Sequence, residues 1–264
     1  MAQRKPHPEH HIDMVPGDVA PTVLIVEDRA QVEQFAGLLD EAHPVAEKRE
    51  YVTVTGRKGP LPISCTSTGM GSPATSIGVE ELWHIGAKNI LRLGTCLPIQ
   101  SRIGPGDLIV ATGAVRDEHT SEEYINKEYP AVADYRLVRA FSDACRNLKY
   151  RCHTGIVRTH DAYYLEAPGS SGREGRIHPW VDLGVLAVDL ETSVVLVVAN
   201  LAGSAQYAEL DLAEHSGARP IELFGRTEFP PVGDLPYLVT LDPYAFHWFS
   251  LTRQETDAPV QGAA

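Results

Sequence analysis

Residues 67–76 read Ser67-Thr68-Gly69-Met70-Gly71-Ser72-Pro73-Ala74-Thr75-Ser76, and this stretch decides the fold. The residues before it, 61–66, supply a short strand. Pro73 fixes its own φ near the helical value, so a helix opens there and continues to Ile85. Two glycines at the strand-to-helix turn let the backbone approach a ligand, and N–H groups at the helix start can hold an anion. A plain connection has the same form, so the turn gains chemical meaning only from what surrounds it.

Outward from the turn the same alternation continues. Residues 1–20 are polar and rich in His and Pro, and read as an arm. Thr22-Val23-Leu24-Ile25-Val26 is an apolar run suited to a buried strand, followed by a helix over residues 28–40 with Val32, Phe35 and Leu38-Leu39 on one face. Residues 51–55 and 61–66 form a hairpin split by Gly56-Arg57-Lys58-Gly59-Pro60. Residues 90–93 and 108–112 read as central strands, 134–148 as an amphipathic helix and 154–157 as another strand. Strands alternating with helices define an α/β fold.

The composition shifts near residue 200. The last 64 residues carry eight of the aromatic residues and nine acids against three arginines. Short strands broken by proline fit them: residues 194–199, 207–212, 220–223, 237–241 and 246–251. Over the whole chain the formal net charge is −12, which argues against nucleic acid, because phosphate backbones require a basic face. No apolar run reaches membrane-spanning length, and the start shows no secretory core, so the expected setting is cytoplasmic. Cys65, Cys96, Cys145 and Cys152 lack zinc spacing and read as reduced thiols.

Chemistry gathers at two further places. Arg92 stands on a buried strand before Gly94-Thr95-Cys96, and a buried arginine needs an anionic partner, for which phosphate suits its fork. Asp189-Leu190-Glu191-Thr192 sets two acids after an apolar strand, where carboxylates can accept from sugar hydroxyls. The histidines show no ligand spacing and no metal site is expected. His7, His10 and His11 read as a solvated cluster, while His160-Asp161 is either a general-base pair or, more simply, a loop hydrogen bond.

Together these stretches resemble the hexameric nucleoside phosphorylase family, nearest its uridine phosphorylase branch. The resemblance runs over residues 10–195 through His11-Ile12-Asp13-Met14, Lys48-Arg49-Glu50-Tyr51, the glycine turn, Gly78-Val79-Glu80-Glu81-Leu82, Leu91-Arg92-Leu93-Gly94-Thr95, Tyr129-Pro130-Ala131-Val132-Ala133-Asp134 and Asp189-Leu190-Glu191-Thr192. It implies a mixed central sheet flanked by helices, and phosphorolysis of a ribonucleoside, pyrimidine favoured, to free base and ribose 1-phosphate. Inorganic phosphate is then the co-substrate and no cofactor is needed. The resemblance puts Arg92 and Thr95 on phosphate, Glu191 on the ribose hydroxyls and Leu190 against the ribose. Tyr163 would pack on the nucleoside, with Thr68, Gly69, Cys96 and Asp189 completing the substrate site. Arg49 and His11 would come from a neighbouring subunit, which implies a homodimer or homohexamer.

The departures are as specific. Where the family's first phosphate loop reads Pro-Gly-Asp-Pro-x-Arg, this chain has Val26-Glu27-Asp28-Arg29-Ala30-Gln31. Glutamate replaces a glycine and glutamine an arginine, so Glu27 is expected to repel phosphate, with Arg29 the one local cation placed to compensate. Cys96-Leu97-Pro98 replaces a glycine-bearing loop, and the Gln-x-Arg pair that reads uracil has no match in residues 165–173. Loss of phosphate binding would leave a nucleoside binder or a hydrolase using water.

Beyond Thr192 the resemblance changes. Val195-Leu196-Val197-Val198-Ala199-Asn200-Leu201, Glu222-Leu223-Phe224-Gly225-Arg226-Thr227-Glu228-Phe229-Pro230-Pro231, Leu235-Pro236-Tyr237-Leu238 and Pro243-Tyr244-Ala245-Phe246-His247-Trp248-Phe249 resemble the C-terminal β-sandwich of trehalose synthase, over residues 194–252. In that family the module carries no catalytic carboxylates. The chain therefore reads as a phosphorylase-like domain, 1–193, joined near Ser193 to a β-rich segment, 194–264. The run at 194–199 would close the open sheet edge as a replacement strand. A carbohydrate-enzyme accessory module is the remaining functional alternative.

Overall fold

A computed structural model of the chain describes residues 7–198, 206–210, 216–222, 228, 230–233, 237–241 and 249–252. The chain divides into two compact units, Met1–Ala199 and Asn200–Ala264.

In the first unit Thr22–Val26 (β1) is followed by Arg29–Ala36 (α1), Asp40–Lys48 (β2), Tyr51–Lys58 (β3), Leu61–Ser67 (β4), Ser72–His84 (α2) and Asn89–Leu93 (β5). Their five strands form one sheet in the order β2-β3-β4-β1-β5. The inner strand β1 pairs in parallel with β4 and β5, which explains its unbroken apolar run: a strand covered on both faces has no polar side to show. A second sheet has the order β6-β10-β9-β7-β8, from Leu97–Pro98 (β6), Leu108–Asp117 (β7), Ala131–Val132 (β8), Cys152–His160 (β9) and Ala187–Asp189 (β10). The remaining helices are Thr120–Tyr124 (α3), Tyr135–Asn147 (α4), Tyr163–Glu166 (α5), Arg173–Asp182 (α6) and Thr192–Val198 (α7).

Three expectations are corrected. The helix expected over 28–40 stops at Ala36, capped at its start by Asp28, whose carboxylate accepts from the Ala30 N–H at 2.9 Å, and by Gln31, whose Oε1 accepts from the Asp28 N–H at 3.1 Å. Leu38-Leu39 are in the turn beyond it, and β2, unforeseen, follows at once. That strand hid because it is a sheet edge with mostly exposed side chains, a proline and two register shifts, so no alternation marks it. The N-terminal arm is not simply solvated: Ile12 and Met14 are buried in the main core beside Val23, Tyr51, Val79 and Leu82.

The third correction concerns residues 194–199, expected as a strand. The valine run is the helix α7, which lies against α2 and α3 and across β7, β8 and β9. Val194 and Val197 are fully buried there. β-branched residues favour strands, but complete burial on all sides makes the period uninformative, and tertiary packing overrides propensity. Asp189 fixes the helix entrance, accepting from the Thr192 N–H at 3.0 Å and from its hydroxyl.

One loop is organised around a charge. The buried guanidinium of Arg116, on β7, donates to Ser121 Oγ (2.9 Å) and to the carbonyls of Ser121 (2.7 Å), Ile125 (2.8 Å), Asn126 (2.5 Å) and Tyr129 (2.7 Å). All five of its N–H donors are used.

In the second unit the described residues form two antiparallel pairs. Gln206–Leu210 (β11) lies against Tyr237–Leu241 (β13), and Arg219–Glu222 (β12) against Phe249–Thr252 (β14). The Tyr237 hydroxyl donates to the Pro230 carbonyl at 2.6 Å. Residues 199–205, 211–215, 223–227, 229, 234–236, 242–248 and 253–264, which hold parts of the quoted C-terminal stretches, lie outside the described residues.

Candidate active site

The site is built from strand ends. The parallel register places Ile25 beside Arg92 and Val26 beside Leu93, so Glu27, the first residue past β1, falls next to Gly94-Thr95 past β5. The Arg92 side chain curls back over Gly94, where a Cβ would collide with its guanidinium. Any larger residue there would push the guanidinium from its present position.

Three carboxylates converge on Arg92. Nη2 donates to Glu27 Oε1 at 2.7 Å and to Glu191 Oε2, and Nη1 stands 3.3 Å from Asp189 Oδ2. Each of the other two acids has a second anchor. Glu191 Oε1 accepts from the Gly71 N–H at 2.6 Å, so a donor of the glycine turn that could hold an anion holds this carboxylate. Asp189 accepts from Thr159 Oγ1 at 2.8 Å and from Thr192. Glu27 instead takes the Thr95 N–H at 2.9 Å on Oε1 and the Thr95 hydroxyl at 3.0 Å on Oε2. Burial raises the Glu191 carboxyl above its usual range; Arg92 and the Gly71 N–H pull the other way, and Asp189 and Glu27 add to the rise.

Around this cluster opens a cleft of about 210 Å³. Of the residues expected at the site, Thr95, Cys96, Tyr163, Asp189, Leu190 and Glu191 line it, together with Glu27, Met70, Leu97, His160, Glu166 and Val188. Burial, then Asp189, hold the Cys96 thiol above its ordinary range, with Arg92 opposing, and Cys96 forms part of the cleft wall. Thr68 is buried beneath the turn, its hydroxyl directed to the Val26 and Gly69 carbonyls and to Thr75. Gly69 has φ of 71° and abuts the Glu50 side chain, so neither it nor Thr68 forms part of the cleft wall.

Two expected residues lie away from this cleft. His11 is bound to Glu81: Nδ1 is 2.6 Å from Oε1, and the backbone N–H groups of His11 and Ile12 both donate to Oε2 at 2.9 Å. Burial pushes Glu81 upward, but these bonds prevail and hold its carboxyl below the usual range. Arg49, exposed at the β2–β3 turn with φ of 55°, is the tip of a hairpin. Arg29 does not compensate for Glu27, since it pairs with Glu47 on β2. Gln31, where the family has an arginine, serves the α1 cap.

A second buried ion cluster was not foreseen. Arg158 Nη1 donates to both oxygens of Glu166 at 2.8 and 2.7 Å, its Nε donates to Asp117 at 2.9 Å, and its guanidinium stacks 4.9 Å from the centroid of Trp180. The signal was available: Arg158, like Arg92, is the one arginine of its strand and directly follows apolar residues, Ile156 and Val157. His160 stands 4.0 Å from Glu166, while Asp161 accepts from the His119 N–H at 3.2 Å, so His160-Asp161 is not a pair. Among the described residues no group of His, Cys, Asp or Glu is placed to hold a metal ion, and no helix is long and apolar enough to cross a membrane.

A strand-end arginine, the backbone and hydroxyl donors of Thr95 and three acids thus meet beside an open cleft on a mixed α/β scaffold. Comparison with known proteins gives the family. Residues 21–223 match the phosphorylase superfamily, and the chain belongs to it. It is 40% identical over 202 residues to a uridine phosphorylase of Thermococcus kodakarensis, covering 74% of this chain and 73% of that one. It is 34% identical over 193 residues to a guanosine phosphorylase of Halorubrum lacusprofundi, covering 73% of this chain and 78% of that one. The crystal structure of uridine phosphorylase from Vibrio fischeri ES114 superposes with a TM-score of 0.71 at 34% identity, over 75% of this chain and 81% of that one.

Proposed function

We propose that the protein cleaves the N-glycosidic bond of a ribonucleoside, uridine favoured, by phosphorolysis, releasing the base and ribose 1-phosphate. The observation that carries this reading is the convergence of Arg92, Thr95 and Glu191 on one cleft in a chain of this family. As the C1′–N bond breaks, positive charge builds on the sugar. A phosphate held by Arg92 and the Thr95 donors is both nucleophile and counter-charge, so the site acts by electrostatic stabilisation and placement. Glu191 accepts from the ribose hydroxyls, a positioning role, with Leu190 against the sugar and Tyr163 against the base. Asp189 braces Arg92 from behind, and Cys96 lies at the wall. Thr68 and Gly69 shape the turn whose next members, Met70 and Gly71, reach the cleft and Glu191.

The reading includes a homo-oligomer, dimer or hexamer, in which Arg49 and His11 serve a neighbour's cleft. Both lie away from their own cleft, His11 half-buried against Glu81 and Arg49 at the tip of an exposed hairpin. Phosphate is a co-substrate and no cofactor is required. Free cysteines fit a reducing, cytoplasmic setting. For the chain beyond α7, and no longer from residue 194, we keep the reading as a trehalose synthase-like segment, supported by its quoted stretches; trehalose and maltose titrations test whether it retains any carbohydrate affinity.

One observation favours a second reading, hydrolysis by water: Glu27 already occupies Arg92 and Thr95. One experiment separates the two. Uridine, guanosine and inosine are incubated with and without phosphate and the products resolved by chromatography. Phosphorolysis gives base and ribose 1-phosphate only with phosphate; ribose released in phosphate-free buffer supports hydrolysis instead. No base under either condition sinks both.

A further inference from the structure

The carboxylate of Glu27 is placed as a bound oxyanion would be. It takes a guanidinium N–H from Arg92, the Thr95 N–H and the Thr95 hydroxyl, at 2.7, 2.9 and 3.0 Å. Carboxylate and phosphate present the same kind of paired acceptor oxygens to such donors. Among the described residues, every hydrogen bond of the Glu27 carboxylate goes to these two residues. Asp189 and Glu191 differ, because each is anchored a second time, by Thr159 and Thr192 or by Gly71. Glu27 is therefore the one acid of the three that can leave without breaking any other tie. It also lines the cleft, which gives its side chain somewhere to go. No second cation offsets it locally, since Arg29 is paired with Glu47 and Gln31 is used in the α1 cap.

We propose that Glu27 is an internal occupant of the phosphate subsite: inorganic phosphate binds Arg92 and Thr95 by displacing its carboxylate, and Glu27 thereby sets the phosphate affinity. This rests on the reading of Arg92 and Thr95 as phosphate ligands. Displacement requires rotation of one side chain and forms or breaks no covalent bond. The site discriminates by concentration, staying closed on itself when phosphate is scarce.

The test titrates inorganic phosphate into the full-length protein by calorimetry, without nucleoside, for wild type, Glu27→Gln and Glu27→Ala. The expected result is a phosphate Kd at least tenfold lower in Glu27→Ala, with Glu27→Gln between, because an amide oxygen still accepts from Thr95 but brings no charge to Arg92. In phosphate-dependent base release the phosphate KM falls by the same factor, while the nucleoside KM stays within twofold. Phosphate affinity equal to or weaker than wild type in both variants, with circular dichroism unchanged, overturns the proposal. Tighter phosphate binding without base release in any variant sustains it and sinks the phosphorolytic reading instead. Should Glu27→Ala fail to fold, Glu27→Gln, nearly isosteric, carries the comparison.

Discussion

At the scale of single residues the site is defined by unequal numbers, three carboxylates around one guanidinium. Glu191 bears the cost, since burial holds its carboxyl above the ordinary 4.5. A carboxyl whose folded pKa is raised contributes its full stability below the unfolded value and loses it as pH rises through the folded one. Glu191→Gln is therefore expected to raise the melting temperature at pH 7–8, and the gain should vanish near pH 4, where wild type is protonated too. The same variant should lose nucleoside turnover, since an amide cannot accept from two ribose hydroxyls with full charge. Thermal scans at both pH values, set beside a base-release assay, check the pair; a variant less stable than wild type at pH 8 would show that Arg92 needs all three acids. At this scale part was legible: Arg92 on its strand and Asp189 and Glu191 after another were singled out by position, and the structure brings them together, whereas Thr95 entered only through the resemblance. The posture of Glu27 was not, because repulsion and occupancy look alike until the β1–β5 register fixes which donors lie opposite.

Elements tell a different story about what a sequence reveals. The parallel strand β1 and the Pro73 helix were plain, the one by its apolar run and the other by its opening residue. The edge strand β2 and the helix α7 were missed for opposite reasons: β2 has too little buried surface to imprint a period, and α7 has so much that no polar face remains to mark one. Burial on every side also makes α7 sensitive to small losses. Val197→Ala removes two methyl groups from a fully buried position and should lower unfolding stability by roughly 1–3 kcal/mol. Urea denaturation measures this. A change below about 0.5 kcal/mol, the ordinary range for surface positions, would mean that the helix does not hold the core as described.

Over the whole molecule, distant segments are tied by a few polar contacts at critical places. Glu81 on α2 grips the backbone of His11 and Ile12, some seventy positions earlier, and so fastens the N-terminal arm over the core. Its carboxyl is held below the usual range, so this anchorage is fully present above pH 4.5 and is lost as pH falls through the depressed value. Amide exchange at Ile12 should accelerate on acidification into that window, and in Glu81→Gln it should be fast already at pH 7; protection unchanged by both would place the anchor elsewhere. Such ties between remote segments carry no local pattern, which is why the arm read as solvated. The hold of Arg116 on residues 121–129 has a practical side as well. The grip falls on main-chain carbonyls and one serine, while Glu123, Asn126, Lys127 and Glu128 turn their side chains outward. Arg116→Lys, with three donors for five acceptors, should leave carbonyls dry and open the loop to protease, whereas the four outward positions can be rewritten together. That makes the loop a ready place to graft a binding sequence or a fluorescent label onto the protein without disturbing its cleft.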